Sequence, residues 1–332
     1  MLALNAYIGK SILVTGGRGY LGSMISESLS KIDCRLIIAD RTGAGWQPVH
    51  PAADITSISA DLSSDQGWRR VLQGIDIVFH LAGMEYNRSL FNWEADLTSN
   101  FLVVARMLEV SKSIPNPPRI VFASSLNVIG EEHETAIDES QPETPRSLWS
   151  VHKLMAEKYL RVYALCDGIP STSLRIANVF GPTANPSTNG RVVLNRVICD
   201  ALDGRPIRLY ANRNLKRDFL HVIDAAKAFL AAGCSSETRM LDGRHFNIGS
   251  GQALSFQEVW EIVAREIESV TGQQVNIIYD DSKKLEPLDM RSYHVNISAM
   301  EEVCGWRPEL TAIEGLRKSI RHFIRMRETA RQ

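Results

Sequence analysis

The chain has 332 residues, 44% of them apolar and 23% charged, the composition of an ordinary globular protein with length for one large or two intimate domains. A formal net charge of −1, with no basic block, offers no electrostatic handle to nucleic acid or to an anionic membrane surface. No apolar run approaches the ~20 residues that span a bilayer, and no charged-then-apolar leader precedes the first strand. The five cysteines (Cys34, Cys166, Cys199, Cys234, Cys304) are odd in number, scattered and never C-x-x-C, which argues against a disulfide or zinc framework and for a reducing, cytoplasmic setting.

From the N-terminus, Ile12-Leu13-Val14-Thr15 runs straight into glycines spaced G-x-x-G-x-x-G, at Gly16, Gly19 and Gly22. An amphipathic segment follows at once, with Met24, Ile25, Leu29 and Ile32 among Ser, Glu and Lys. Strand, tight glycine turn and helix in that order are the context in which a diphosphate approaches the backbone at a helix N-terminus. Leu36–Asp40 is a second short strand ending in an acid, 18 residues after Gly22. An acid there accepts hydrogen bonds from ribose hydroxyls and repels a 2′-phosphate, so NAD is favoured over NADP, with Arg41 softening the preference.

Gly43 to Ala53 reads as a loop. Ile55–Ala60 is expected as a third strand, closed by Asp61-Leu62, and Gln66–Gln73 as a helix. Asp76–Gly83 reads as a buried strand breaking at small residues, against which a flat ring can lie. Asn92–Lys112 is expected as one long helix, with Leu97, Phe101, Val104 and Leu108 at helical spacing. Arg119–Ala123 is a fifth strand ending in Ser124-Ser125. The acids Glu131, Glu132, Glu134, Asp138 and Glu139 read as a solvated loop rather than a metal site. Leu148–Cys166 is a strong amphipathic helix and Thr172–Arg175 a sixth strand. Beyond it loops take over, followed by helix at Val192–Leu202, strand at Ile207–Tyr210, and helix, strand and helix at Phe256–Ile267, Val275–Tyr279 and Ala312–Phe323. Strands alternating with helices predict a Rossmann-type doubly wound parallel sheet with a smaller α/β C-terminal domain. The expected division is 1–176 plus about 217–249 on the cofactor side, and 177–216 with 250–332 on the substrate side.

Open parallel sheets bind ligands beyond the C-terminal ends of their strands. Ser125 ends the fifth strand there. Trp149 and Lys153 are four apart on the next helix and so share a face. A lysine on a sheet-facing side suits a cofactor contact; the alternative is a surface lysine snorkelling to solvent.

Together these segments resemble the extended short-chain dehydrogenase/reductases, the NAD-dependent epimerase/dehydratase family of nucleotide-sugar enzymes, over nearly the whole chain. Thr15–Gly22 is similar to the family's cofactor loop, which implies cofactor contacts at Gly16, Gly19, Tyr20, Leu21 and Gly22. Asp61-Leu62 resembles its adenine contact, and His80-Leu81-Ala82-Gly83 its nicotinamide-side strand. Asn100 matches the structural Asn of the fourth helix. Ser124–Gly130 resembles the serine strand, with Ser125 in the catalytic hydroxyl position. Leu174–Pro182, Arg217–Val222, Phe246–Gly249 and Gly305–Pro308 complete the series. The resemblance implies NAD as cofactor, a nucleotide-sugar substrate, and a homodimer through Asn92–Lys112 and Leu148–Cys166 with Leu160 and Tyr163 as contacts.

Two departures bear on the reaction. Where the family has Tyr-x-x-x-Lys, this chain has Trp149-Ser150-Val151-His152-Lys153. In the family the tyrosine exchanges a proton with the substrate hydroxyl, and the lysine binds the ribose and lowers the tyrosine pKa. An indole N–H donates only and does not titrate usefully. Another group (Ser125, Tyr86, Glu85 or His152) takes over the proton, or catalysis has been lost and a cofactor- and ligand-binding protein remains, or the chemistry is unusual. Second, Leu126 and Asn127 stand where family 4,6-dehydratases carry Asp-Glu, and Asn127 stands where decarboxylases carry Glu, which leaves redox or epimerisation. On the substrate side, Asn178, Arg217 and Arg291 occupy the family's diphosphate positions, with Arg191 nearby; a planar guanidinium bonds phosphate oxygens in pairs. Arg213 and Lys216 replace part of the family's usual Gly-Asp-Gly.

Overall fold

The computed structural model describes residues 4–41, 45–49, 51–132, 135–286 and 289–331. Gly43, in the expected loop, and Glu134, in the acidic run, lie outside the described residues. The N-terminal half alternates as expected: β1 (Ser11–Thr15), α1 (Tyr20–Leu29), β2 (Arg35–Asp40), β3 (Asp54–Ser59), α2 (Asp65–Val71) and β4 (Ile77–His80). The helix expected over Asn92–Lys112 is one contiguous helical run from Trp93 to Lys112, capped by Asn92, with a π turn inside it. A short α3 (Tyr86–Ser89) precedes α4 (Trp93–Leu97), a π turn spans Thr98–Leu102, and α5 (Val103–Lys112) follows. A π turn adds a residue to the helical register and marks functional places in helices; here it carries Asn100.

Then come β5 (Arg119–Ser125), α6 (Leu148–Asp167), β6 (Ser171–Ile176) and β7 (Asn178–Phe180). Ser147 starts α6 with a capping box through Ser150, and Gly168 ends it at φ +68°, the left-handed conformation glycine adopts without strain. The C-terminal half contains α7 (Val193–Leu202), β8 (Ile207–Leu209), β9 (Lys216–His221), α8 (Val222–Cys234), β10 (Asp242–Ile248) and β11 (Ala253–Ser255). It closes with α9 (Phe256–Thr271), β12 (Ile277–Tyr279), α10 (Ser298–Cys304) and α11 (Ala312–Arg331).

A seven-stranded sheet has the order β10-β6-β5-β4-β1-β2-β3, and each neighbouring pair is parallel. Its strands read as continuous apolar runs because both faces are covered. Alternate residues choose the face. Ile12, Val14, Leu36, Ile38 and Phe79 pack towards α1 and α8, whereas Leu13, Ile37, Val78 and Phe122 pack towards α2, α5 and α6. β10 and α8 come from 222–248, so this stretch returns to the large sheet after the chain has left it. A separate apolar cluster joins α7, α9 and α11 over β8 and β9 through Ile198, Leu209, Phe219, Trp260 and Leu316. Among the described residues no helix is long and apolar enough to cross a membrane.

Leu160, expected at a surface between two copies, is fully buried in the chain's own core beside Phe122 and Ala156. Its position on the sheet-facing side of α6 leaves it nothing to offer a partner. The outer side of that helix carries Tyr159, Val162 and Leu165 instead, all exposed. The acidic run also differs from a simple solvated loop. Glu139 is partly buried, accepts from the Asn247 amide at 2.7 Å, and burial raises its pKa.

Candidate active site

The glycine turn is built from close backbone approach. Gly16 has φ +65°, and a Cβ there would lie 2.9 Å from the Ala82 nitrogen. A Cβ on Gly22 would lie 2.1 Å from the Gly16 carbonyl oxygen. Only glycine fits either place. Gly19 caps α1 without any side-chain hydrogen bond to the first turn. The first-turn amides of Tyr20, Leu21 and Gly22 therefore point outward with the positive end of the helix dipole, beyond the ends of β1 and β4. This is a cradle an anionic diphosphate fits, made of backbone. The Tyr20 side chain is engaged elsewhere. Its buried hydroxyl donates to the Gly181 carbonyl at 2.5 Å, so any ligand contact from this residue comes through its amide.

Asp40 ends β2 and accepts from the Arg41 amide at 2.8 Å. Asp61 is exposed, with its carboxylate held below the usual range by the Ser63 hydroxyl and amide at 2.6 and 2.9 Å; Leu62 beside it is partly buried. Leu81, Ala82 and Gly83 leave β4 beside β1, and Thr15 Oγ1 accepts from the Leu81 and Ala82 amides. With both N–H bonds arriving at its oxygen, Thr15 donates to His80 Nδ1 at 2.8 Å, which fixes the neutral tautomer of this buried ring.

Ser125 Oγ accepts from the Asn127 amide at 3.1 Å, which leaves its O–H proton for another acceptor. Lys153 is buried and donates to the Ala123 carbonyl at 3.0 Å, two residues before Ser125 on the same strand. Burial pushes its pKa down to about 8, against the pull of Asp96 and Glu157. One turn earlier on α6, Trp149 donates its indole N–H to the Met84 carbonyl at 2.7 Å and meets the edge of Tyr86 with centroids 6.1 Å apart. Asn100 Nδ2 donates to that same carbonyl at 3.2 Å and also to Asp96, while its Oδ1 is buried with no partner among the described residues.

The expected substitutes for a phenol separate clearly. His152 is buried and its Nδ1 lies 2.9 Å from Asp96 Oδ2, on the side of α6 that faces α4. Its ring is turned to Asp96 on α4 and its Nδ1 is engaged there, away from Trp149 and Lys153. Glu85 is exposed and pairs with Arg191 at 3.4 Å. Tyr86 is raised above its ordinary pKa by burial and by the carboxylates of Glu286 and Asp289.

On the other lobe Asn178 opens β7, partly buried. Arg217 is buried between the rings of Phe256 and Tyr293, at 5.6 and 5.3 Å, and donates to the carbonyls of Lys216 and Asp289. Arg291 also lies on Tyr293, at 4.8 Å, and donates to the Ile129 carbonyl and to Asn127 Oδ1. Its Nε has no partner among the described residues. Asn127 thus anchors Arg291 rather than standing open as an acid/base residue would. Arg213 is paired with Asp281 at 2.6 Å.

Several supporting residues had no sequence signal. Glu157 is buried against Arg175 at 2.7 Å and accepts from Ser124, so the serine strand is tied to α6 by a buried ion pair. Asp218 collects the amides of Ser250, Gly251 and Val295. A basic residue inside a strand pattern, Arg175, was the available hint of the first network.

A model of the NAD dependent epimerase/dehydratase family matches residues 12–249. A putative UDP-glucose 4-epimerase of Methanocaldococcus jannaschii is 29% identical over 93% of this chain and 97% of its own length. A UDP-N-acetyl-alpha-D-glucosaminuronate decarboxylase of Bacillus cytotoxicus is 27% identical over 95% of this chain and 98% of its own. Among solved structures, MoeE5 in complex with UDP-glucuronic acid and NAD superposes with a TM-score of 0.81 at 26% identity, covering 95% of this chain and 99% of that one.

Proposed function

The chain belongs to the NAD dependent epimerase/dehydratase family, and from that premise we propose that it oxidises or epimerises the sugar of a nucleoside diphosphate sugar without the family's phenol. The observation that carries this reading is convergence: the uncapped start of α1 follows β1, the Ser125 hydroxyl ends β5, and the Lys153 amine bonds β5 at Ala123, all at the C-terminal edge of the parallel sheet. The backbone cradle of Gly16, Gly19, Tyr20, Leu21 and Gly22 would hold the diphosphate of NAD. Asp40, with Arg41, would hold its ribose, Asp61 and Leu62 its adenine, and Leu81–Gly83, Asn100 and Lys153 the nicotinamide side. Bound NAD supplies a two-electron acceptor that takes and returns a hydride.

The chain's own residues do the rest. Ser125 donates to the sugar oxygen that changes hybridisation. Trp149 and Tyr86 wall the cleft and exclude water. Arg217, Arg291, Arg191 and Asn178 face the substrate diphosphate, with the first two rigidly stacked and so ordered before the ligand arrives. The absence of acids at Leu126 and Asn127 argues against 4,6-dehydration and for simple redox or epimerisation. The exposed Tyr159, Val162 and Leu165, with Tyr163 beside them, supply an apolar face for a second copy of the chain.

The test is direct. The protein is purified and its NAD content measured. It is then mixed with UDP-, GDP-, CDP- and dTDP-sugars while NADH absorbance and product NMR are followed. Co-purifying NAD and conversion of at least one sugar are expected. Tight binding of NAD with no turnover on any sugar would make it a binding protein on an enzyme's fold. Light scattering across a concentration series reads the dimer separately.

A further inference from the structure

Trp149 stands one helical turn before Lys153, and its N–H is spent on the Met84 carbonyl. An indole nitrogen has no lone pair with which to accept a proton. His152 is turned to Asp96, Glu85 is drawn to Arg191, and Tyr86 is held in its neutral form. The group left on the right face of α6 is an amine. We propose that Lys153 itself is the proton acceptor and donor for the sugar hydroxyl, an inference that rests on the nucleotide-sugar reading above.

The geometry around Nζ suits a group that can lose its proton. Nζ is buried and makes no ion pair among the described residues, which favours the neutral amine, and this outweighs the rings of Phe122 and Trp149 at 4.9 and 5.8 Å and the Ala123 carbonyl, which favour the ammonium. The charged and titratable groups facing it come from three elements. Asp96 on α4 is engaged by Asn100 and His152, and Glu157 on α6 by Arg175 and Ser124. His80 on β4 is neutral, held by Thr15; His152 on α6 faces Asp96. Neither carboxylate is in a salt bridge with the ammonium, and burial outweighs their pull and brings its pKa to about 8, in the range useful for general acid–base work. Gly83 lies against the amine, where a Cβ would come within 3.4 Å of Nζ.

In the oxidative direction the carbinol O–H proton passes to the Nζ lone pair. NAD, held on the nicotinamide side by Leu81–Gly83, Asn100 and Lys153, would supply the acceptor for the C–H hydrogen and its electron pair, so that the carbon–oxygen single bond would become C=O. In the reverse direction the ammonium returns the proton as the carbonyl carbon regains the hydrogen.

Lys153→Arg keeps the cation but cannot release a proton in this pH range. With NAD saturating, as set by calorimetric titration of the variant itself, it should lose turnover by about 10²–10⁴-fold. Lys153→Ala should recover part of that loss with added methylamine. Without any substrate or cofactor, the ¹³Cε resonance of Lys153 in the parent protein should titrate near pH 8, and turnover should rise with the same midpoint. Turnover of Lys153→Arg within tenfold of the parent overturns the inference, and so does a resonance titrating near the ordinary ~10.4. A parent protein that binds NAD but converts no sugar at any pH overturns the enzymatic reading and this inference together. An active parent with an equally active Lys153→Arg overturns this inference alone.

Discussion

Gly22→Ala sets two effects of opposite sign against each other. Gly22 sits in the first turn of α1, where alanine in place of glycine favours the helix by up to ~1 kcal/mol. Its new Cβ would lie 2.1 Å from the Gly16 carbonyl oxygen and 2.9 Å from the Gly16 carbon and the Gly17 Cα. All three are backbone atoms of the turn, and none can swing aside. Carbon–oxygen contacts settle near 3.3 Å, so turn and helix must part by about 1 Å. Gly16 cannot retreat, because the backbone of Ala82 lies behind it. Overpacking of this kind costs ~1–3 kcal/mol, and with backbone on both sides the upper half of that range applies. The net destabilisation is about 1–2 kcal/mol. With ~2.1 cal/mol/K of unfolding entropy per residue, about 0.7 kcal/mol/K for 332 residues, the melting temperature should fall by about 1–3 °C. The larger effect is on the cofactor. An amide moved by an ångström loses a charge-assisted hydrogen bond to phosphate of ~1.5–3 kcal/mol, so NAD should bind about 10- to 100-fold more weakly. Gly190→Ala is the control, since nothing lies within 4 Å of a Cβ there and its φ is not positive. Calorimetric NAD titration and thermal melts of the three proteins decide it. A Gly22→Ala variant that melts at or above the parent with unchanged NAD affinity would falsify the close-approach account of the turn.

Glu157→Ala strips the inner, bidentate partner from a fully buried Arg175, which costs ~3–5 kcal/mol and lowers the melting temperature by about 4–7 °C; Glu143→Ala, at the partly exposed outer contact, should cost under ~1 kcal/mol, and equal losses would refute the ranking. Burial pushes His80 and His221 down to about 3 and about 4, so the folded state binds fewer protons than the unfolded one, and stability is lost as pH falls below about 6.5. Urea midpoints at pH 7.5 and 5.0 should show this loss, and His80→Phe should shrink it; an equally steep loss in the variant sinks the assignment. Trp149→Tyr gives up a hydrogen bond of ~0.5–1.5 kcal/mol to Met84 and sets a phenol one turn from Lys153. If proton transfer limits the reaction, turnover rises by about tenfold or more; unchanged or lower turnover shows that the indole belongs to a different mechanism.

The parts of this fold that are legible in the sequence are those where a local rule and the tertiary structure agree. The run Ile12–Thr15 followed by Gly16, Gly19 and Gly22 specifies strand, turn and helix by sterics alone, and S-x-x-S or S-x-x-E before an apolar run specifies the starts of α6 and α9. The helix expected over Asn92–Lys112 misses only the π turn, because its apolar spacing is compatible with an inserted π residue, and periodicity does not register one extra residue. β10 escapes a pattern reading because Asp242–His245 is polar on its exposed edge and bulged, so its partnership with β6 is decided by the tertiary fold rather than by alternation. Leu160 cannot be assigned to a side of α6 from sequence, because a long helix on a sheet has apolar residues on two faces and only packing tells them apart.

At the site, residue types are legible and directions are not. His152 has the right intrinsic pKa and the right neighbour in sequence, yet 3.6 residues per turn carry it to Asp96. In sequence Trp149 is a missing phenol, which is half of what it does. Its N–H and that of Asn100 converge on one carbonyl, Met84, and two donors on one acceptor fix the turn that presents Glu85 and Tyr86 to the cleft. On the proposed reading Trp149 therefore supplies a strut where the family has a proton carrier. Putting a tyrosine back restores the carrier and removes the strut, so the two effects of Trp149→Tyr must be separated. Trp149→Phe does this by removing the strut alone, and the difference between the two variants is the worth of the phenol beside Lys153.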